Sequence, residues 1–560
     1  MPPPGRFVSS DGRFVLFVSD ANNLVPGDTN GTWDIFVRDR LTNTTERVSV
    51  SSSGGQSNGI SGVYGAAISR DGNVVAFESV ANNLVPGDTN GAREVFVHDR
   101  TTGVTERVAV DASGNQGNGQ SFYPSLSADG RFVAFTSNSS NLVPGDTNGK
   151  WDTFVRDRWT GSVERISVSS VGLQGSDDSY KGEVSADGRF VVFESLASNL
   201  VPGDTNLAWD VLLRDRLTGT TERVSISTAG GEPNHNSGQA AVSDDGRYVV
   251  FESLASNLAP GDTNMTDDVF VHDRQSGVTA RVSIATDGTE SESWSGAPSI
   301  TADGRIVLFA SGGSHLVSGD TNASIDAFTH DSRSGVTERV SVDSHGLQTA
   351  GPVGAGTISS DGRFVVFEDW ADDLVSGDTN GFIDIFFHDR FASGFTSLCG
   401  PGANNVIACP CNNPPSGPGR GCDNSSSTGG AALSASGIAY LSLDSLAFST
   451  SGEKPSATSI LLQGDTLIPS GSSFGQGVRC VGGMLKRLYV KTAVNGSITA
   501  PDLGAGDPTV SLRSAQLGAP IQAGETRLFL VYYRDATVLG GCPAANTFNS
   551  TQTGVVTYWP

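Results

Sequence analysis

A chain of 560 residues, 37% hydrophobic and 17% charged, is globular and long enough for two or three domains. Its formal charge of -24 sets aside nucleic acid and anionic membrane surfaces as electrostatic partners and favours solubility or bound cations. No run approaches the roughly 18 apolar residues of a membrane helix, so membrane insertion is not expected.

Met1-Pro-Pro-Pro has neither the charged nor the apolar region of a signal peptide, so the start reads as that of a mature or trimmed secreted product. A repeat begins almost at once. Asp28, Asp88, Asp146, Asp204, Asp262, Asp320 and Asp378 each open an Asp-Thr-Asn, the first spacing being 60 residues and the other five 58. Asp-Gly at Asp11, Asp71, Asp129, Asp187, Asp245, Asp303 and Asp361 keeps the same step.

One unit gives the plan. Lys181 to Ser185 is a short strand A, ended by an Ala186-Asp187-Gly188 turn. Arg189 to Ser195 is strand B, Asp210 to Asp215 strand C and Glu222 to Ile226 strand D, with Gly203-Asp204-Thr205-Asn206 between B and C. Alternation of period 2, Val/Phe/Ile enrichment and turn residues at the breaks support these assignments. Four strands in each of seven repeats predict an all-β, seven-bladed β-propeller over 1–398. A solenoid is the alternative. Phe14, Phe17, Phe36 and their equivalents are expected to pack between blades. Because strands alternate, the A–B and C–D turns share one face, and the B–C and D–A loops share the other.

The stretch VSADGRFVVFES…WDVLLRDRLTGTTERVSIS resembles the PD40 (WD40-like, TolB-type) propeller repeat. That resemblance covers residues 5–398 and implies the fold. It implies little about function, because sites are grafted on such folds.

Each B–C loop has a fixed polar spacing: Asp28, Asn30, Asp34; Asp88, Asn90, Glu94; Asp146, Asn148, Asp152; Asp204, Asn206, Asp210; Asp262, Asn264, Asp268; Asp320, Asn322, Asp326; and Asp378, Asn380, Asp384. Hard oxygens at positions 1, 3 and 7, with a carbonyl at 5, resemble the first half of an EF-hand loop. They predict up to seven Ca²⁺, one per blade. A plain Asx turn is the other reading. Charge favours calcium, since residues 1–398 hold 27 Lys and Arg against 52 Asp and Glu. His98, His272, His330 and His388 precede the strand-C aspartate and are expected to serve as cationic partners of carboxylates. Tyr64, Phe122, Tyr180 and Trp294 could stack on a sugar or a protein, or fill gaps above strand A.

The repeat stops at Cys399. All six cysteines lie from there on (Cys399, Cys409, Cys411, Cys422, Cys480 and Cys542), which predicts three disulfides and an oxidising compartment. Residues 399–424 are a Cys/Pro/Gly-rich connector, and 425–560 carry strand-like runs that predict a β-sandwich. The pattern CPCNN…GRGCDNSS…FGQGVRCVGG…AGETRLFLVYYRDA resembles a C-terminal module of secreted planctomycete-type bacterial proteins. Gly471-Ser472-Ser473-Phe474-Gly475 matches a nucleophile elbow but lacks its strand-to-helix setting, so no catalytic residue is assigned.

The leading expectation is a non-enzymatic, calcium-stabilised, secreted or cell-surface protein that binds a protein partner, a glycan or further copies of itself, as an oligomer or filament. The alternative is an extracellular hydrolase or lyase with its site in the propeller channel, or a glycan-binding module. A single-copy acid/base cluster at the axis would favour that alternative, because nearly every other polar residue recurs sevenfold.

Overall fold

The structure is a computed structural model that describes residues 7–558 other than 344–345, 376, 391–394, 403–405, 418, 437–438, 440, 442–443, 445, 523 and 538–546. Two compact units are present, Met1–Asp389 and Arg390–Pro560.

The first unit is the β-propeller. Blades two to six are four-stranded sheets in strand order A-B-C-D. In the fourth these are Ser179–Val184, Phe190–Ser195, Asp210–Asp215 and Thr220–Arg223. The first blade holds Phe14–Ser19, Asp34–Asp39 and Thr44–Arg47, with strand A reduced to a bridge between Val8 and Val15. The seventh holds Val353–Ile358, Phe364–Asp369 and Asp384–Asp389. Its expected fourth strand falls at Thr396–Cys399, which pairs instead with Thr553–Thr557 in the second unit. The ring closes through side chains: Val8, Val15, Phe364 and Val366 form one buried cluster, and the Arg40 guanidinium lies 3.4 Å from the centre of the Phe387 ring.

The Ser-x-Asp-Gly-Arg turn explains itself atom by atom. The Ser185 hydroxyl donates to Asp187 Oδ1 at 2.8 Å and accepts from the Phe190 N–H at 3.0 Å. Arg189 then reaches Asp215 at the end of strand C in a two-pronged ion pair, at 3.0 and 2.7 Å. Glycine is required after the aspartate. Gly72 has φ +76°, and a Cβ there would stand 2.2 Å from the Phe14 ring of the preceding blade. Phe14 thus packs between blades as expected. Phe17 and Phe36 stack on one another, 5.6 Å between centroids; the equivalent pairs Phe77–Phe96 and Phe135–Phe154 stack likewise and pack between blades as expected, the first against Ile35 and Val37 and the second against Val95 and Val97.

The A–B turns also meet at the axis. Ser10 N donates to Arg70 O, Arg70 N to Ala128 O, Ala128 N to Ala186 O, Asp244 N to Ala302 O and Ala302 N to Ser360 O, at 2.9–3.0 Å. Arg70 of blade two forms an ion pair with Asp244 of blade five. These links draw the ring tight at its A–B end.

In the second unit one sheet runs Thr396–Cys399, Thr553–Thr557, Thr526–Arg534, Thr458–Gly464, Lys486–Thr492, and a smaller one joins Ala432–Ser436, Ala447–Ser451 and Thr499–Ala500. Both face one core: Leu433 and Phe448 from the small sheet meet Leu461, Phe529 and Val531 from the large one, and the Phe448 and Phe529 rings lie 4.4 Å apart. This is the packing of a sandwich. Cys409 and Cys422 form a disulfide with Cα atoms 5.7 Å apart. Cys411 and Cys480 are disulfide-bonded as well. Cys542 and part of the expected run 438–443 lie outside the described residues. Ser473 lies in a hairpin strand, Thr466–Phe474, paired with Gly477–Gly482 and not followed by a helix.

Candidate functional site

The B–C loops come first, because all twenty-one expected metal ligands lie there. The acidic residue at position seven opens strand C in every blade. Asp34, Glu94, Asp152, Asp210, Asp268 and Asp326 are buried there. Asn30, Asn148, Asn264 and Asn322 turn their amide N–H toward that carboxylate, at 2.7, 3.3, 3.0 and 3.2 Å, and Asn90, Asn206 and Asn380 do the same toward Glu94, Asp210 and Asp384. The Asn carbonyl oxygen accepts from the backbone two residues on, as in Asn148 with Lys150 N at 3.1 Å. That is an Asx turn.

Between positions one and seven stands an arginine from strand D. Arg47 lies 3.0 Å from Asp28 and 3.5 Å from Asp34. Arg107 lies 3.4 Å from Asp88 and 2.6 Å from Glu94. Arg165, Arg223, Arg281 and Arg339 repeat the arrangement with Asp146/Asp152, Asp204/Asp210, Asp262/Asp268 and Asp320/Asp326 at 3.2–3.6 Å. The repulsion that spoke for calcium is therefore answered from within the blade. Burial still pushes Asp210 and Asp326 up to about 6 against the pull of these arginines. A third group reaches the clamp from the D–A loop: Gln116 donates to Asp88 at 3.0 Å, and Arg165 to Gln174 at 2.9 Å. In blades four and five this residue is Glu232 or Glu290, 2.9 Å from Arg223 and 2.7 Å from Arg281.

The histidines differ from expectation. His98, His272 and His330 are buried, each with Nδ1 2.9 Å from a strand-D threonine hydroxyl (Thr105, Thr279, Thr337). Burial lowers their pKa values, which disfavours the cationic form. A neutral hydrogen bond to threonine satisfies the position, and Arg38 meets it by donating to Thr45 at 3.0 Å.

The same face holds a second constellation that does not recur sevenfold. Strand B ends near the B–C loop, and its penultimate residue is Val18, Glu78, Thr136, Glu194, Glu252, Ala310 or Glu368. Opposite lie the starts of the inner A strands and the residues just before strand C. Tyr64, Phe122, Trp151, Tyr180 and Trp209 form a continuous run of rings with centroids 4.7–5.9 Å apart through blades two to four, and Tyr123 packs edge-on against Phe122 at 4.8 Å. Arg93, ion-paired with Glu78, lies 4.8 Å over the Tyr64 ring. From blade five on, aromatic residues give way to glycine where strand A meets the glutamates. An added Cβ at Gly238 would lie 3.1 Å from Glu194 Oε1, and at Gly296 2.2 Å from Glu252 Oε2 and 2.6 Å from the Trp294 indole.

The two central glutamates differ in setting. Glu194 lies 3.2 Å from Lys181 Nζ and accepts from Gln239 N at 2.6 Å. Glu252 accepts from Ala297 N at 3.2 Å. Burial, reinforced by Asp267 and Glu194, pushes it up to about 7 despite Lys181. Tyr123 feels Lys181, Glu194, Tyr64 and Glu78, and burial dominates in raising its pKa, so it remains a hydrogen-bond donor at neutral pH. Two carboxylates within electrostatic reach of each other, one ion-paired and one whose pKa burial raises to about 7, are the elements of acid–base chemistry. Sequence reading singled out Tyr64, Phe122, Tyr180 and Trp294 but missed the glutamates. Their signal was the variation at one position of an otherwise regular strand.

Set beside known proteins, no family model matches the chain, and no curated protein matches it. Among solved structures it is similar to TolB from Acinetobacter baumannii, at 16% identity and a TM-score of 0.33, over 60% of this chain and 64% of that one. It is similar to an oligogalacturonate lyase in complex with manganese, at 12% identity and a TM-score of 0.43, over 69% and 88%. It is similar also to the β-propeller domain of the Trilobed protease from Pyrococcus furiosus, at 13% identity and a TM-score of 0.42, over 70% and 94%. The chain thus spans 64% of the length of that TolB. The likeness is one of fold.

The class that the fold defines is the β-propeller. The expectation of a chain without enzymatic activity is corrected here. Solved structures similar to it include a lyase and peptidases. No described helix is long and apolar enough to cross a membrane.

Proposed function

We propose that this chain is an extracytoplasmic hydrolase of neutral or amine-bearing saccharides, with its site at the B–C end of the propeller channel. The carrying observation is the run of rings from Tyr64 to Trp209 beside Glu194 and Glu252. Half-exposed aromatic faces stack on the apolar faces of sugar rings. Glu252 gives its proton to the glycosidic oxygen as the C–O bond breaks, and Glu194 takes the proton of the water that adds to the anomeric carbon. A propeller with twice as many acidic as basic residues repels uronate polymers. The Cys409–Cys422 disulfide supports an oxidising compartment.

Hexasaccharides of glucose, glucosamine and galacturonate, titrated against intrinsic tryptophan fluorescence, test this reading. The first two are expected to bind, the third not, and Trp151→Ala is expected to weaken binding about tenfold. No response to any of the three overturns the saccharide assignment.

Among the described residues the calcium proposal narrows to one cluster. Asp262, Asp268 and Glu290 bring carboxylate oxygens within 4.8 Å of one another, so with Arg281 the site keeps an excess of two negative charges. Oxygen ligands of this kind hold Ca²⁺ at about 10⁻⁴–10⁻³ M in extracellular modules. Millimolar Ca²⁺ is expected to raise the melting temperature of the parent and not that of Glu290→Gln. An equal rise in both would remove the site.

A further inference from the structure

The A strands of blades three to six carry a bulge at the same point. Register shifts fall between Phe122 and Ser125, Tyr180 and Glu183, Gly238 and Ala241, and Gly296 and Ser299. The bulge places one residue in the left-handed region: Gly65 (φ +123°), Tyr123 (+55°), Lys181 (+50°), Gln239 (+48°) and Ala297 (+50°). Left-handed backbone disfavours any residue with a Cβ. Gly65 and Ala297 show that the bulge itself asks for no particular side chain. In blades three to five the chain nevertheless keeps a tyrosine, a lysine and a glutamine there, half-buried on the inner rim.

The strained backbone is held from the side. Lys181 N donates to Thr136 Oγ1 at 3.0 Å, and Gln239 N to Glu194 Oε1 at 2.6 Å. Lys181 also sits beside Glu194, within its ion-pair distance of 3.2 Å. All three side chains end in hydrogen-bond donors, and they stand between the aromatic half of the rim and its glycine-floored half. Strain of this sort gathers at ligand-binding positions.

We propose that Tyr123, Lys181 and Gln239 are specificity-determining residues that donate hydrogen bonds to the hydroxyl groups of the bound saccharide. This rests on the saccharide reading above.

The test is substitution by the residue that blade two already uses. Tyr123→Gly, Lys181→Gly and Gln239→Gly relieve the left-handed strain, so each variant is expected to melt within about 2 °C of the parent. Each is expected to bind the glucose or glucosamine hexasaccharide at least tenfold more weakly by isothermal titration. A structural role gives the opposite result: a melting temperature lower by about 5 °C or more, with affinity unchanged. That result, or parent-like affinity in all three variants, overturns the inference while the saccharide reading stands. If the parent binds neither hexasaccharide, both fall together.

Discussion

Glu252→Gln is expected to lower turnover of the glucosamine or glucose hexasaccharide by about 10²–10⁴-fold, the usual contribution of a positioned general acid. Glutamine keeps the shape and still accepts the Ala297 N–H through its carbonyl oxygen, but it has no proton to give. The same variant has a stability effect whose sign is fixed. Folding raises the Glu252 pKa from 4.5 to about 7, so the native state binds the proton more tightly than the unfolded chain. The favourable contribution is full below pH 4.5 and is lost as pH rises through 7. At pH 8 the charged glutamate costs on the order of 3 kcal/mol, which glutamine does not incur. Urea unfolding is therefore expected to find Glu252→Gln more stable than the parent at pH 8 and equal to it at pH 4. Loss of turnover with no pH-dependent gain would mean that Glu252 acts from a less buried position. Undiminished turnover would remove it from the chemistry. In the parent, activity is expected to decline as pH passes 7, because the acid is then ionised.

What the sequence made legible follows from how repetition works. Two markers at a constant step, Asp-Gly and Asp-Thr-Asn, count the blades, and alternation within Phe190–Ser195 and Asp210–Asp215 locates the strands. The fate of Thr396–Cys399 was not legible. That run has the pattern of a strand and the position of a strand D, and only the availability of Thr553–Thr557, more than 150 residues on, decides its partner. The loops show a similar limit. Asp146, Asn148 and Asp152 have the spacing of metal ligands, yet Arg165, thirteen residues beyond Asp152, folds back into the same space once strand D pairs with strand C. Even the rule that repeated residues are structural was usable only in reverse. Glu194 and Glu252 lie where Val18 and Ala310 lie in other blades, and the proposed site rests on that irregularity rather than on the regular motif.

Asp152→Ala is expected to destabilise the propeller by about 3–5 kcal/mol, the cost of removing one partner from a buried ion-paired cluster. Asp152 accepts from the Ser167 hydroxyl and from Asn148 (3.3 Å) and lies 3.3 Å from Arg165. Its loss leaves Arg165, whose side chain is only 10% exposed, with Asp146 as its one remaining counter-charge in the clamp. Arg165→Met is expected to cost a similar amount, since Asp146 and Asp152 then face each other in a half-dry site. Combining the two should cost less than their sum, because the second change removes the charge that the first left behind. Chelation separates this clamp from a calcium site in the same blade. If Arg165 neutralises the pair, EDTA leaves the unfolding midpoint of the parent unchanged and the coupling between the two substitutions large. If calcium does so, EDTA lowers the parent's midpoint as far as Asp152→Ala does, and Arg165→Met becomes nearly silent. The first outcome is expected in blade three, where glutamine completes the loop, and the fifth blade is where the two mechanisms compete, because Glu290 supplies the charge that arginine alone does not balance.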